Sequence, residues 1–162
     1  LIRSAFLFTP QLRSALHGLK YRGRTTLAEH LARLAAPRLA AFQELSNYDV
    51  LVPVPLAASR LRQRGFNQSL ILAKVLAAHI GAQVREGALS KIRNTPPQVG
   101  LNAKARLSNL EDAFEAEAGI AAGRSFLLID DVCTTGATFE SCAAALKKAG
   151  ARAVAGFSIA RE

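Results

Sequence analysis

Phe126–Ala151 reads FLLIDDVCTTGATFESCAAALKKAGA, and the fold turns on how this stretch is understood. Its apolar opening, preceded by Arg124-Ser125, suits a strand covered on both faces. Two adjacent carboxylates, Asp130 and Asp131, follow, and then the turn Thr134-Thr135-Gly136-Ala137-Thr138. A helix-period run from about Ala137 to Ala149 stops at Gly150, a residue suited to a helix C-terminus. A strand over 126–130, a polar turn and a helix make one βα unit. AVAGFSIA (153–160) supplies the next strand, so the connection is expected to be a right-handed crossover between parallel neighbours.

Upstream the pattern repeats. YDVLVPVPL (48–56) is a β-branched apolar run broken by Pro53 and Pro55, and reads as a strand entering a stiff loop. An Arg-rich segment, AASRLRQRGFNQ (57–68), is read as a polar loop. QSLILAKVLAAHI (68–80) then gives a helix with one broad apolar face, Asn67 being a suitable N-cap and Phe66 a core anchor. AQVRE (82–86) is short enough for a strand. Residues 9–43 read as two helices interrupted by Lys20-Tyr21-Arg22-Gly23-Arg24. Leu12, Leu16 and Leu19 share a face of the first, and Thr25 or Thr26 caps the second, which Pro37 ends or kinks. Residues 90–110, with Pro96, Pro97 and Gly100, are the least regular part of the chain, and a loop of that length in a small domain is usually functional. The fold class is therefore α/β: a doubly wound parallel sheet forming one domain over 1–162, with an N-terminal helical part over 1–45.

Composition bounds the function. Half of the 162 residues are hydrophobic, enough for an ordinary core. No apolar run approaches the ~20 residues that span a bilayer, so no membrane insertion is expected and the cytoplasm is the default location. The chain begins at Leu1 and contains no Met, as a piece of a longer protein would. Cys133 and Cys142 define neither a disulfide framework nor a zinc site, and are read as plain buried thiols. His17, His30 and His79 lack partners at ligand spacing and are given no chemistry. The net charge of +9, carried mainly by arginine, suits an anionic partner, either a phosphate-bearing small molecule or nucleic acid. Eight Phe and two Tyr are scattered, without the basic–aromatic ladder of a single-strand binding surface. A P-loop nucleotide hydrolase is excluded, because Gly136 is followed by Ala137 rather than Lys.

In open α/β sheets, ligands bind beyond the carboxyl ends of the strands. Asp130 and Asp131 stand at such an end. The turn from Thr134 to Thr138 offers backbone N–H groups, hydroxyls and a helix N-terminus to an oxyanion. Helix capping alone accounts for the threonines but not for two carboxylates beside an anion-attracting turn. A ligand with hydroxyls at one end and phosphate at the other uses all of these groups, and ribose 5-phosphate has that shape.

LLIDDVCTTGAT resembles the signature of type I phosphoribosyltransferases, which bind 5-phosphoribosyl-1-pyrophosphate (PRPP). The order of three segments narrows the likeness: VLVPVPLAASRLRQRGFNQSLILAKVLA, then RNTPPQVGLNAKARLSNLEDAF, then the signature. That order is similar to ComF-type (GntX-type) proteins, which are associated with DNA uptake and utilisation, and the likeness covers about residues 15–160. The resemblance implies that Asp130 and Asp131 contact the ribose 2′- and 3′-hydroxyls, and that Thr134, Thr135, Gly136, Ala137 and Thr138 hold the 5′-phosphate. Mg²⁺ would be held mainly by the ligand's own oxygens, with no protein metal site. Pro55, Leu56 and Ala57 take the place of the pyrophosphate loop, with Arg60 and Arg64 nearby. Residues 90–110 take the place of a flexible hood, so that Arg93, Lys104 and Arg106 are candidates to bind departing pyrophosphate.

The resemblance also implies a pentosyltransferase reaction with an unknown acceptor, in nucleotide metabolism linked to competence, and admits a homodimer. The alternative it leaves is a non-catalytic, nucleotide-sensing or single-stranded-DNA-associated partner in transformation. Two departures stand out. Relatives acting on 6-oxopurines carry a third acid where this chain has Thr134. ComF-type chains also commonly begin with a Cys-rich zinc ribbon, whereas no C-x₂-C precedes residue 15 here.

Overall fold

The computed structural model describes residues 1–48, 50–93 and 112–162. Strands β1 (Ile2–Leu7), β2 (Val50–Pro53), β3 (Gln83–Val84), β6 (Ser125–Cys133) and β7 (Ala153–Arg161) form a parallel sheet in the order β1-β7-β6-β2-β3. Two further strands, β4 (Leu89–Lys91) and β5 (Phe114–Ala116), pair antiparallel in a small separate sheet. The helices are α1 (Pro10–Arg22), α2 (Thr25–Ala41), α3 (Ala58–Arg64), α4 (Gln68–Ile80), α5 (Ala118–Ala121) and α6 (Ala137–Lys148).

β6 lies at the centre, and its alternation sorts the two cores. Leu127 and Ile129 join Leu19, Leu39, Leu51, Leu72, Leu76, Phe157 and Ile159 beneath α1, α2 and α4. Phe126 and Leu128 join Val50, Val52, Phe139, Cys142 and Leu146 beneath α6 and the small sheet. Helices therefore cover both faces of the sheet, as the near-continuous apolar run predicts. On α2 the fully buried Ala28, Ala32, Ala35 and Ala36 present almost no bulk, which lets this helix lie close along α4.

β2 tolerates Pro53 for a geometric reason. Leu51 accepts from the Arg85 amide at 2.9 Å, so the next residue but one, Pro53, faces the same side, beyond the end of β3. Val54 then turns back to donate to Ile129 O at 2.9 Å. The missing proline donor falls where no partner strand remains.

Several expectations need correction. Ile2–Leu7 is a strand, although the sequence reading placed only helix in the N-terminal part; it pairs along β7 from Ile2↔Gly156 to Leu7↔Arg161. Residues 58–64 form helix α3, closed by Gly65 at φ 80, rather than a polar loop. Neither Thr25 nor Thr26 caps α2. The cap position is Arg24 and makes no side-chain bond, because left-handed Gly23 has just ended α1 and Thr25 N already bonds Gly23 O. Pro37 does not end α2, which continues to Ala41. Pro37 lies on the exposed face, and the buried Leu39 beyond it anchors the last turn. Finally, β6 runs on to Cys133, so the acid pair lies within the strand rather than after it.

Other expectations are met. Helix α4 spans 68–80 with Asn67 as its cap, the Asn67 side chain accepting from Ser69 N at 3.0 Å. Its amide also donates to Val54 O at 3.1 Å, tying the start of α4 to the loop after β2. Phe66 packs against the larger core. Cys133 and Cys142 are buried free thiols, and burial pushes both above the ordinary thiol range. No helix among the described residues is long and apolar enough to cross a membrane.

Candidate functional site

The turn after β6 is built by its glycine. Gly136 adopts φ 87 at the N-cap of α6, and a Cβ there would come within 3.2 Å of Ile2 Cδ1. The left-handed conformation disfavours any L side chain. Thr135 Oγ1 accepts from Ala137 N at 3.4 Å, drawing the hydroxyl over the start of the helix. The concavity at this turn is lined by Val132–Phe139, which includes all five residues expected to hold a phosphate. Gly136→Ala should cost about 1–2 kcal/mol and weaken anion capture together with stability. A phosphate titration followed by melting temperature checks both effects.

The two acids have unequal surroundings. Asp130 is half-buried and accepts from Ser69 Oγ at 2.8 Å and from the Asp131 amide at 2.9 Å. Asp131 is only 3% exposed, and its Oδ2 is buried without a hydrogen-bond partner. The ammonium of Lys20, from the last turn of α1, forms an ion pair with that oxygen at 2.5 Å. Burial pulls Lys20 down, but the charges of Asp131 and Asp130 outweigh it, so the ammonium is held above its ordinary range.

Burial, followed by the neighbouring Asp131 charge, pushes the Asp130 carboxyl up to about 7, against the pull of Lys20 and Ser69. A carboxyl raised in the fold binds more protons folded than unfolded between about pH 4 and pH 7, so this group's contribution to stability falls as pH rises through that window. Asp130→Asn should flatten that decline, and urea midpoints taken across the window test it. An unchanged slope would place the titration elsewhere.

Arg64 and Lys91 stand within electrostatic reach of Asp130. Arg64 donates to Gln68 Oε1 at 2.5 Å and lies over the Tyr21 ring at 5.9 Å. Burial lowers its affinity for the proton, while Asp131, Tyr21 and Asp130 act to raise it. Arg60 is exposed on α3, within electrostatic reach of both Arg64 and Lys91. Lys91, at the end of β4, sits over the Phe114 ring at 5.2 Å. Pro55, Leu56 and Ala57 link β2 to α3 beside the register pair Pro53↔Ile129, so their loop leaves the same end of the sheet as the acids. Arg93 is exposed at the bend after β4, and it too has an electrostatic or hydrogen-bonding neighbour. Lys104 and Arg106 lie outside the described residues.

Sequence reasoning missed Lys20, Ser69 and Lys91. Lys20 stands four residues after Leu16, on the apolar stripe of α1, and a charge at a core-facing step signals a buried counter-charge. Ser69 carried a weaker signal, a hydroxyl in the first turn of an otherwise apolar helix. Lys91 carried none, since only the pairing of β4 with β5 sets it against Phe114.

The chain is thus an α/β protein whose parallel sheet carries an acid pair and a Thr/Gly turn at its carboxyl edge. No protein-family model matches it. The DNA utilization protein YhgH of Escherichia coli K12 is 35% identical over 150 residues, covering 91% of this chain. Competence protein ComFC of Bacillus subtilis is 30% identical over 162 residues, covering 98%. The chain belongs to the ComF-type group of DNA-utilization and competence proteins. The chain spans 66% of the length of the E. coli relative and 63% of the B. subtilis one. Among solved structures, the B. subtilis glutamine PRPP amidotransferase complexed with ADP and GMP is 20% identical with a TM-score of 0.49. It matches over 82% of this chain and 25% of that one, a likeness too loose to carry an argument.

Proposed function

We propose that this protein binds 5-phosphoribosyl-1-pyrophosphate and transfers its phosphoribosyl group to a nitrogen nucleophile, in nucleotide metabolism tied to the uptake or use of DNA. One observation carries the reading: strand β6 carries the acid pair near its end, and the N–H-rich Thr/Gly turn follows it directly into α6. The turn from Thr134 to Thr138 takes the 5′-phosphate, where helix N-terminus and backbone donors favour an anion. Asp130, half-buried and with one oxygen still unengaged by Ser69 or the backbone, accepts from the ribose hydroxyls. Arg60, Arg64 and Lys91 face the leaving pyrophosphate with fixed positive charge.

In the reaction the acceptor's lone pair forms the new bond to ribose C1 while the C1–O bond breaks and its electrons leave with pyrophosphate. The acceptor proton passes to solvent or to the departing pyrophosphate, since Thr134 carries no basic group. Mg²⁺ fits as an ion that arrives on the ligand. Asp131 is already paired with Lys20 and offers no free carboxylate to an ion. Carried on the ligand in that way, the ion would supply charge neutralisation for the pyrophosphate.

The test is a melting-temperature titration with PRPP and MgCl₂. Binding raises the wild-type midpoint with ligand concentration, and Asp130→Asn should abolish most of the rise. No shift at millimolar ligand would sink the proposal. A second reading rests on the net charge of +9 and on relatives named for competence and DNA utilization: association with single-stranded DNA. It predicts an affinity that falls steeply with salt.

A further inference from the structure

We propose that Lys20 is a built-in cation of the ribose site, standing where a free divalent ion would otherwise be needed to offset two adjacent carboxylates. The inference rests on the phosphoribosyl reading above and deepens it. Its basis is the asymmetry of the acid pair. Asp131 Oδ2 is buried without a hydrogen-bond partner, and the ammonium 2.5 Å away is its counter-charge. The Lys20 side chain is itself 27% accessible, so it is covered on the carboxylate side and still open toward the surface.

A second anion brought beside an unneutralised acid pair meets repulsion from both carboxylates, and at short range in a partly buried site that repulsion is large. Fixing one ammonium on the buried acid removes about half of the pair's charge before any ligand arrives. Asp130 is left as the acid that meets the ligand. Because the cation is tethered through α1, it costs no ion capture, and a phosphoribosyl group lacking pyrophosphate has no remaining need for a free metal ion here.

Ribose 5-phosphate is the discriminating probe, since it offers the hydroxyls and the phosphate but no pyrophosphate to carry Mg²⁺. Calorimetric titration of the wild type should give the same affinity in EDTA and in millimolar MgCl₂. Lys20→Gln, which keeps an N–H for Asp131 but deletes the charge, should bind about tenfold more weakly in EDTA, the scale of one charge-assisted contact. MgCl₂ should restore most of that loss. Lys20→Gln/Asp131→Asn, with no buried charge to offset, should not respond to MgCl₂.

Equal affinities for Lys20→Gln and wild type in EDTA would overturn the assignment. So would a Mg²⁺ response that survives in the double variant, because the ion would then be acting elsewhere. If Lys20→Gln folds only when MgCl₂ is present, judged by circular dichroism, the ion has replaced the ammonium and the proposal stands. Failure to fold in either buffer would reduce Lys20 to a structural role. A wild type that binds no ribose 5-phosphate sinks the phosphoribosyl reading itself, whereas normal wild-type binding with an indifferent Lys20→Gln sinks only the role of Lys20.

Discussion

Lys20→Met lowers the melting temperature by about 10 °C, the larger of the two stability losses expected from breaking the Lys20–Asp131 pair one side at a time. The reasoning is electrostatic. Removing one partner of a buried ion pair leaves an uncompensated charge and costs roughly 3–5 kcal/mol. Lys20 is 27% accessible, so solvent screening discounts the figure to about 2–4 kcal/mol. In a domain of this size each kcal/mol moves the midpoint by about 2–4 °C. The two single variants should differ. After Asp131→Asn the ammonium can turn toward water, whereas after Lys20→Met the carboxylate, at 4% side-chain exposure, cannot. Lys20→Met/Asp131→Asn removes both charges and should recover much of the loss, giving a coupling energy in a double-mutant cycle. Equal costs for the two single variants, or additive costs in the double, would show that the pair is not the buried interaction described here.

That residue also marks the boundary of what the sequence could disclose. The βα unit over 125–148 is legible because three local signals agree: an apolar run, a glycine where a left-handed turn falls, and a helical period ending at Gly150. Asn67 is legible for the same reason, since capping is a local bond. β1 is not, because IRSAFL is an edge strand whose place is set by pairing with β7, about 155 residues away in the chain. The Arg-rich segment at 58–64 has no buried residue and so no apolar period to reveal its helix. The acids at 130 and 131 are visible as a pair, yet nothing local says that one meets Ser69 of α4 and the other Lys20 of α1. Local chemistry marks the two acids as a pair, and tertiary contact gives each a different partner.

Gly156→Ala should disturb the turn after β6 from the sheet face that α6 covers. Gly156 lies in β7, its amide bonded to Leu1 O at 3.0 Å and its residue in register with Leu128 of β6. A Cβ at this position would stand 2.6 Å from Cδ1 of Phe139, 3.0 Å from Cε1 and 3.1 Å from Cγ. Phe139 is 3% exposed and packed among Val52, Leu128 and Cys142, so its ring has little room to retreat. It belongs to the first turn of α6, directly after Thr138, and a ring forced outward carries the helix start with it. Overpacking of this kind costs about 1–3 kcal/mol, a fall of about 3–10 °C. The distinguishing result is functional: inorganic phosphate should bind the variant more weakly even at temperatures where it is fully folded, because the donors around Gly136 are displaced. A variant that loses stability but binds phosphate as the wild type does would show that the strain is absorbed within the core and that the turn is independent of it.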